Sequence, residues 1–231
     1  IAEPADPVGQ FIRLDLDDAD SIATAADAVT EPLDGLFNNA GLPPRDGLEA
    51  KLLRVNFLAQ RTFTKALLPR LRAGASVVNM ASKAGYGWRE ALDQIKRLAM
   101  LSDRESVERF VAAEALSATQ AYNLSKAAVI AWTLAEAEPM IGRQLRMNSI
   151  SPGGIATGIL DDFAKAFGER MARNVERAGR PGNPEEVAAV AVFLLSPESF
   201  WIKGVDIPID GGMGSFAVCD ALELSGLTLP G

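Results

Sequence analysis

The chain has 231 residues, 48% hydrophobic and 23% charged, with a net charge of −7 and a pI near 4.8. This is the size and balance of one globular domain with a sizeable core, and the acidic excess argues against nucleic acid or an anionic membrane as main partner. Histidine is absent and the one cysteine is Cys219, which excludes an internal disulfide, a cysteine-based metal cluster, the usual zinc sites and any His-based triad.

In chain order, Phe11 to Leu16 reads as a short strand ending in the acidic turn Asp17-Asp18, and Asp20 or Ser21 caps an Ala-rich helix to about Val29. Leu33 to Asn38 is a strand that stops at Asn38-Asn39-Ala40-Gly41. From Leu48 to about Leu71, apolar Leu52, Val55, Leu58, Phe63 and Leu67 recur at helical spacing. Ala75 to Met80 is a strand. Within residues 83–121, Trp88, Leu92, Ile95, Leu98 and Ala99 stripe one helix over Trp88 to Leu101. A second helix opens at Ser102 with Glu105 three later, a capping-box pattern. Arg146 to Ser151 is a strand followed by Gly153-Gly154. Residues 158–180 are mostly helical, with Ile159, Leu160, Phe163, Phe167 and Met171 on the apolar side. They suit either a packed surface helix or a lid over a pocket. Pro184-Glu185-Glu186 starts a further helix, and Val205 to Ile209 is a strand closed by Asp210-Gly211-Gly212. The tail, 213–231, has no clear period and suits an edge element or a subunit contact.

Strands that alternate with helices and stop at polar or Gly-rich ends indicate an α/β domain with a mostly parallel, doubly wound sheet. Ligands of such sheets bind beyond the carboxyl ends of the strands, where Asn39, Ser82 and Gly153 fall. No apolar run reaches membrane-spanning length and no signal peptide is visible, so no membrane partner and a cytoplasmic location are the default expectations. Without histidine, proton chemistry falls to Tyr, Lys, Ser or carboxylate. Tyr122 and Lys126 stand four apart on a helical stretch, so both project from one face. A cation beside a phenol favours the phenolate and brings proton transfer to an alcohol or carbonyl oxygen within reach. Alone, such a pair is as well explained by an ordinary helix surface.

Seven segments in order carry a resemblance: Asp15-Leu16, Asn38-Asn39-Ala40-Gly41, Val55-Asn56, Val78-Asn79-Met80-Ala81-Ser82, Tyr122-Asn123-Leu124-Ser125-Lys126, Asn148 to Gly154 with Thr157, and Asp210-Gly211-Gly212. On these the sequence resembles the short-chain dehydrogenase/reductases. It is most similar to the bacterial branch of coniferyl-alcohol dehydrogenases and 3α-hydroxysteroid dehydrogenase/carbonyl reductases, which carries a helical insertion between the catalytic Ser and Tyr. The resemblance implies a single Rossmann-like domain over 1–231. Its parts are an insertion at 83–121, a substrate lid at 158–180 and the tail.

It implies four catalytic residues. Tyr122 is the general acid/base, and Lys126 lowers its pKa and holds the nicotinamide ribose. Ser82 binds the substrate oxygen, and Asn56 holds a water on a proton path. Local alternatives remain: Ser82 as a turn cap, Asn56 as a buried amide bonded to backbone, Asp15 as a turn former. For the cofactor, the resemblance implies Asp15 and Leu16 at the adenine, and Asn39, Ala40 and Gly41 by the adenosine ribose. Tyr122, Lys126, Pro152, Gly153, Ile155 and Thr157 line the nicotinamide half. Trp88, Phe163, Phe167 and Met171, with Ser82, form an apolar pocket for an aromatic or steroid-like alcohol or carbonyl compound. No metal is implied. The cofactor is NAD, with NADP not excluded. A carbonyl reductase using NADPH and a non-catalytic member that keeps the fold are the rival readings. Self-association as a homodimer or homotetramer runs through the long helices that carry Asn56 and Tyr122.

One departure stands out. The family's glycine-rich turn after its first strand, and the acidic residue ending its second, do not occur in this sequence. Ile1 resembles in character the chain just past that acidic position, and no initiator Met is present. The expectation is a longer parent enzyme whose first strand, first helix and second strand lie outside this sequence.

Overall fold

The computed structural model describes residues 9–229, and Ile1 with the start of the chain lies outside the described residues. Four parallel strands form the sheet in the order β1 (Leu33–Asn38), β2 (Leu71–Met80), β3 (Arg146–Pro152), β4 (Asp206–Ile209). In register, Val77 lies beside Met147, Met80 beside Ile150, and Ile150 beside Ile207. Both faces of β2 and β3 are covered, so their apolar runs are nearly continuous rather than alternating. Val77 and Met147 pack with Met140 and Leu145 in one core. Val78 and Ile150 face the opposite way, onto Val187, Ala191 and Leu194 of the helix Pro184–Leu195.

The helices in order are α1 (Ala19–Ala28), α2 (Glu49–Leu53), α3 (Ala59–Leu67), α4 (Leu92–Ala99), α5 (Arg104–Ala113), α6 (Ala118–Ala135), α7 (Ala137–Gly142), α8 (Leu160–Arg177), α9 (Pro184–Leu195) and α10 (Met213–Leu222). A capping box starts α6: the Ser117 N–H donates to Gln120 Oε1 at 2.9 Å, and the Gln120 N–H returns to Ser117 Oγ at 3.3 Å. Asn183 and Glu186 do the same for α9, with Pro184 in its first turn.

Several expectations change. Phe11 to Leu16 forms no strand: among the described residues no neighbour completes a ladder with it, Leu16 already belongs to the turn, and β1 stands at the sheet edge. Asp17, in the following turn, is tied instead to Arg54 at 2.8 Å, Arg104 at 3.3 Å and Lys51 at 3.4 Å. Burial opposes ionisation there, but the Arg54 hydrogen bond and the three cations outweigh it, and Asp17 ionises below its ordinary range. The long helix expected from Leu48 is interrupted by a π-helical stretch, Arg54–Leu58, between α2 and α3. Trp88 closes a 3₁₀ segment, Lys83–Trp88, rather than opening a helix. The cap of α5 is Asp103, whose carboxylate accepts from the Ser106 N–H at 2.8 Å, not Ser102. The tail holds α10 and a 3₁₀ turn, Leu224–Leu227, its helix hidden from periodicity because it is apolar nearly all round. The insertion helices lie against α6 and α2, on the elements where the resemblance puts subunit association.

Arg146 opens β3 almost fully buried, at 2% exposure. Its guanidinium donates to the Leu194 and Ser196 carbonyls, at 3.2 and 3.0 Å, and to Ser199 Oγ. A cation at the carbonyl end of α9 is favoured by the helix dipole, so it binds strand to helix without a carboxylate partner in those bonds. Arg146→Ala leaves those acceptors unsatisfied beside a cavity and is expected to cost about 2–4 kcal/mol. The shift in urea unfolding midpoint measures it, and Arg146→Lys should recover only part.

Candidate active site

The site lies at the carboxyl ends of β2 and β3. Ser82, just past β2, caps the 3₁₀ segment: its carbonyl accepts from the Gly85 N–H at 2.8 Å and its hydroxyl from the Ala84 N–H at 3.2 Å. Ser82 is therefore a turn cap whose hydroxyl also reaches Tyr122. The segment seats directly on α6. A β-carbon at Gly85 would stand 2.6 Å from the Lys126 carbonyl carbon, so only glycine permits this approach.

On α6, Tyr122 and Lys126 are both buried, at 4% exposure each. The Lys126 ammonium lies 5.9 Å from the Tyr122 ring centre and donates to the Met80 carbonyl at 2.8 Å. That is its one hydrogen bond among the described residues, and an ammonium carries three donors. Burial pushes Lys126 down to about 8. Burial pushes Tyr122 up to about 12, opposed by its hydrogen bond with Ser82. A cation next to the phenol was expected to lower this pKa. Here desolvation wins, because the phenol is roofed over.

The roof is α8. Phe163 packs edge-on to the Tyr122 ring at 5.4 Å and Phe167 at 6.3 Å, and the two phenyl rings stack on each other. The helix breaks at Gly168, whose φ of 53° and ψ of −141° suit glycine. The half before it carries both rings and is held to the loop after β1 by the Arg45–Asp162 ion pair at 2.7 Å. The half after it is tied to α10 by the two-pronged Arg177–Asp220 pair. Met171 and Val175 of that second half cover Gly154.

Asn56, carried inward by the π-helical stretch, is fully buried. Its amide pairs with the Leu42 backbone in both directions, at 2.7 and 3.1 Å, and donates to Ser125 Oγ at 3.3 Å. It thus pins the loop after β1 to α6, the backbone-bonded alternative weighed from sequence. Gly41 sits between the two groups: a β-carbon there would lie 3.2 Å from Asn56 Oδ1 and 3.5 Å from Lys126 Nζ. Asn39 and Ala40 are exposed on the rim, Ala40 accepting from Gln60 Nε2 at 2.8 Å. Spare donors on Lys126 and an uncrowded approach past Gly41 fit the ribose of a dinucleotide.

Pro152 ends β3 and Gly153 follows it, packed on Asp210. Ile155 bridges to Gly182, and Thr157 is exposed at the approach to α8. Trp88 belongs to the same apolar cluster as Tyr122 but carries the Arg89 guanidinium 4.3 Å over its ring. Asp15 and the half-buried Leu16 lie in the N-terminal turn, where Asp15 Oδ1 accepts from the Asp17 N–H at 2.9 Å. Two features escaped the sequence. Asn38 donates to Thr64 Oγ1 and to Asn79 Oδ1, both at 2.8 Å, and Asn79 donates to Thr133 Oγ1 at 3.0 Å, a buried chain stitching β1 and β2 to α3 and α6. Tyr86 donates to Asp210 Oδ2 at 3.2 Å. Neither follows a local pattern, since the partners are far apart in sequence.

A family model described as "Enoyl-(Acyl carrier protein) reductase" matches residues 106–214. Coniferyl-alcohol dehydrogenase of Pseudomonas sp. strain HR199 is 33% identical over 214 residues, covering 92% of this chain and 84% of that protein. The 3-alpha-hydroxysteroid dehydrogenase/carbonyl reductase of Comamonas testosteroni is 28% identical over 222 residues, covering 88% and 86%. Among solved structures, 3-alpha-hydroxysteroid dehydrogenase from Pseudomonas sp. B-0831 complexed with NADH superposes with a TM-score of 0.78 at 27% identity, over 88% of this chain and 83% of that one. A short-chain dehydrogenase family protein from Francisella tularensis gives 0.67 at 25%, over 89% and 81%. With a Tyr–Lys pair buried beside a serine at the ends of a parallel sheet, and relatives matched along nearly its whole length, the chain belongs to the short-chain dehydrogenase/reductase family of NAD(P)-dependent oxidoreductases.

Proposed function

We propose that this chain exchanges hydride reversibly between NAD and the alcohol or carbonyl carbon of an apolar, aromatic or steroid-like substrate. The observation that carries the reading is the Tyr122 phenol, seated beside Ser82 and Lys126 and roofed by two phenylalanines. When bound, the nicotinamide supplies the hydride acceptor or donor. Lys126 holds the nicotinamide ribose through its spare donors. Asn39, Ala40 and Gly41 border the adenosine ribose, and Asp15 with Leu16 takes the adenine. Pro152, Gly153, Ile155 and Thr157 face the nicotinamide.

In oxidation Tyr122, in its phenolate form, takes the hydroxyl proton on Oη while the Ser82 hydroxyl donates to the same substrate oxygen and steadies its charge. In reduction Tyr122 returns the proton. Asn56 holds the Leu42 backbone against α6 and so keeps open the path along which Lys126 relays protons. Phe163, Phe167, Met171 and Trp88 form the apolar walls, and the two phenyl rings yield their place over Tyr122 to the substrate and then exclude water. NAD is favoured by likeness to the coniferyl-alcohol type.

Self-association fits the surface of α9 and of the segment that joins it to β4. It presents Val192 at 65% exposure, Phe193, Phe200 and Trp201 at 89%, whereas α2 and α6 are packed by the chain's own insertion. A second copy of the chain is the occupant proposed.

Four measurements check these statements. With NAD and aromatic alcohols, followed by reduced-nicotinamide absorbance, Tyr122→Phe should lower kcat about 10²–10⁴-fold; an unchanged rate would remove the acid/base role. Oxidation should quicken with rising pH, because burial keeps the phenol protonated, and reduction should slow. Lys126→Met should abolish activity yet stabilise the fold by about 1–3 kcal/mol at pH 7. The sign follows from the lowered pKa: the cost of the buried cation is full below about 8 and fades toward the free-lysine value of 10.5. The stability difference should therefore shrink between pH 8 and 10.5. For the surface of α9 and the segment after it, Phe193→Ser with Trp201→Ser should halve the mass in light scattering, and an unchanged mass would exclude that surface.

A further inference from the structure

The 3₁₀ segment Lys83–Trp88 carries an aromatic side chain that the reaction does not use, Tyr86. Its ring lies half-buried against Gly214, where a β-carbon would stand 2.9 Å from Cε2, and its hydroxyl donates to Asp210 Oδ2. Asp210 is buried and fully engaged. Oδ1 accepts from the Gly212 N–H at 3.0 Å, and Oδ2 accepts from the Gly214 N–H at 2.8 Å as well as from Tyr86. The same residue backs the nicotinamide-facing turn: a β-carbon on Gly153 would stand 3.0 Å from Asp210 Cα and 3.2 Å from Met213 Sδ. Gly153 is also held to this strand end by its N–H, which donates to the Ile209 carbonyl at 3.0 Å.

Two pieces already paired through the β2–β3 ladder, where the Ala81 N–H donates to the Ile150 carbonyl at 2.9 Å, are thus tied a second time at the Tyr86 hydroxyl. The first is the Ser82 turn, locked onto Lys126 by Gly85. The second is the β4 end, locked onto Gly153 by Asp210. We infer that Tyr86 is a positioning residue, whose hydrogen bond to Asp210 fixes the distance between the oxygen-binding Ser82–Tyr122–Lys126 group and the Gly153 turn on which the nicotinamide rests. The inference rests on the function proposed above. Hydride transfer needs the substrate carbon and the nicotinamide ring at near-contact distance, and each is held by one of these two pieces. The bond is built to persist. Burial pushes the Tyr86 phenol well above its ordinary range, and the negative charges of Asp210 and Asp206 and the hydrogen bond to Asp210 push it further, so it stays a donor at every pH the enzyme meets.

Tyr86→Phe deletes the hydroxyl and keeps the ring, so the fold should survive. Hydrogen exchange should rise together in residues 83–88, 152–154 and 210–214. kcat should fall about tenfold while KM for NAD is unchanged. With a substrate deuterated at the hydride-bearing carbon, the isotope effect on kcat should grow as hydride transfer becomes limiting. Because Asp210→Asn weakens the same tie, the double variant should be no slower than the slower single variant. A rise in exchange confined to residues 83–88, a kcat like that of the unaltered chain, or a loss carried wholly by KM for NAD would each overturn the inference. Failure of the underlying reading is separately visible: Tyr122→Phe would then keep full activity, while the exchange comparison would still report whether the tie exists.

Discussion

The site depends on one close approach, the contact of Gly85 with the backbone of α6 at Lys126. No β-carbon fits between them, so the segment that begins at Ser82 lies on the helix like a lid on a box. That contact brings a serine from the end of β2 to a tyrosine on a helix that starts far along the chain, past the whole insertion. The Lys126 ammonium completes the junction by donating to the Met80 carbonyl, the strand residue two before Ser82. Strand end, turn and helix therefore move as one body, and pre-organisation of the reacting oxygen's surroundings follows from backbone packing rather than from flexible side chains.

A buried cation with one hydrogen bond and a buried phenol with a raised pKa are costly features for a fold to hold. They persist because the surrounding core is dense. Leu52, Leu53, Phe57, Leu98, Val107 and Ile130 belong to the same apolar cluster as Tyr122, and the insertion helices supply part of that mass. The insertion is therefore not an appendage. Through Val107 and Phe110 it thickens the core around the catalytic helix, and through Arg104 it reaches Asp17 in the N-terminal turn. The first half of α8 sets its two phenylalanines over Tyr122, and the helix breaks just after it, at Gly168.

Much of this was legible in the sequence for physical reasons. β1 was read with its observed limits because the Asn38-Asn39-Ala40-Gly41 stretch stops it. Tyr122 and Lys126 could be paired because a helix fixes the direction of residues four apart. The role of Ser82 as a turn cap was weighed from sequence and is what the structure shows, alongside its reach to Tyr122. The misreadings share one cause. Phe11 to Leu16 has the composition of a strand, but a strand exists only where a neighbour accepts its hydrogen bonds. Ser102 has the pattern of a cap, but the adjacent Asp103 takes the position by aiming its carboxylate at the Ser106 N–H. The tail has no helical period because α10 is apolar nearly all round.

By itself, the sequence determined the fold class and the order of most elements, because these rest on local periodicity, and it put Tyr122 and Lys126 on one helix face; Ser82 joined them only through the family resemblance. Only the tertiary structure showed that burial works against the charged forms of Tyr122 and Lys126. Whether a lysine lowers a tyrosine's pKa or burial raises it depends on what covers them, and the cover comes from Phe163 and Phe167, dozens of residues downstream. The same holds for Asn56, Arg146 and the Tyr86–Asp210 tie. Each is a polar group whose meaning is set by partners brought near through packing, and no spacing along the chain records that meeting.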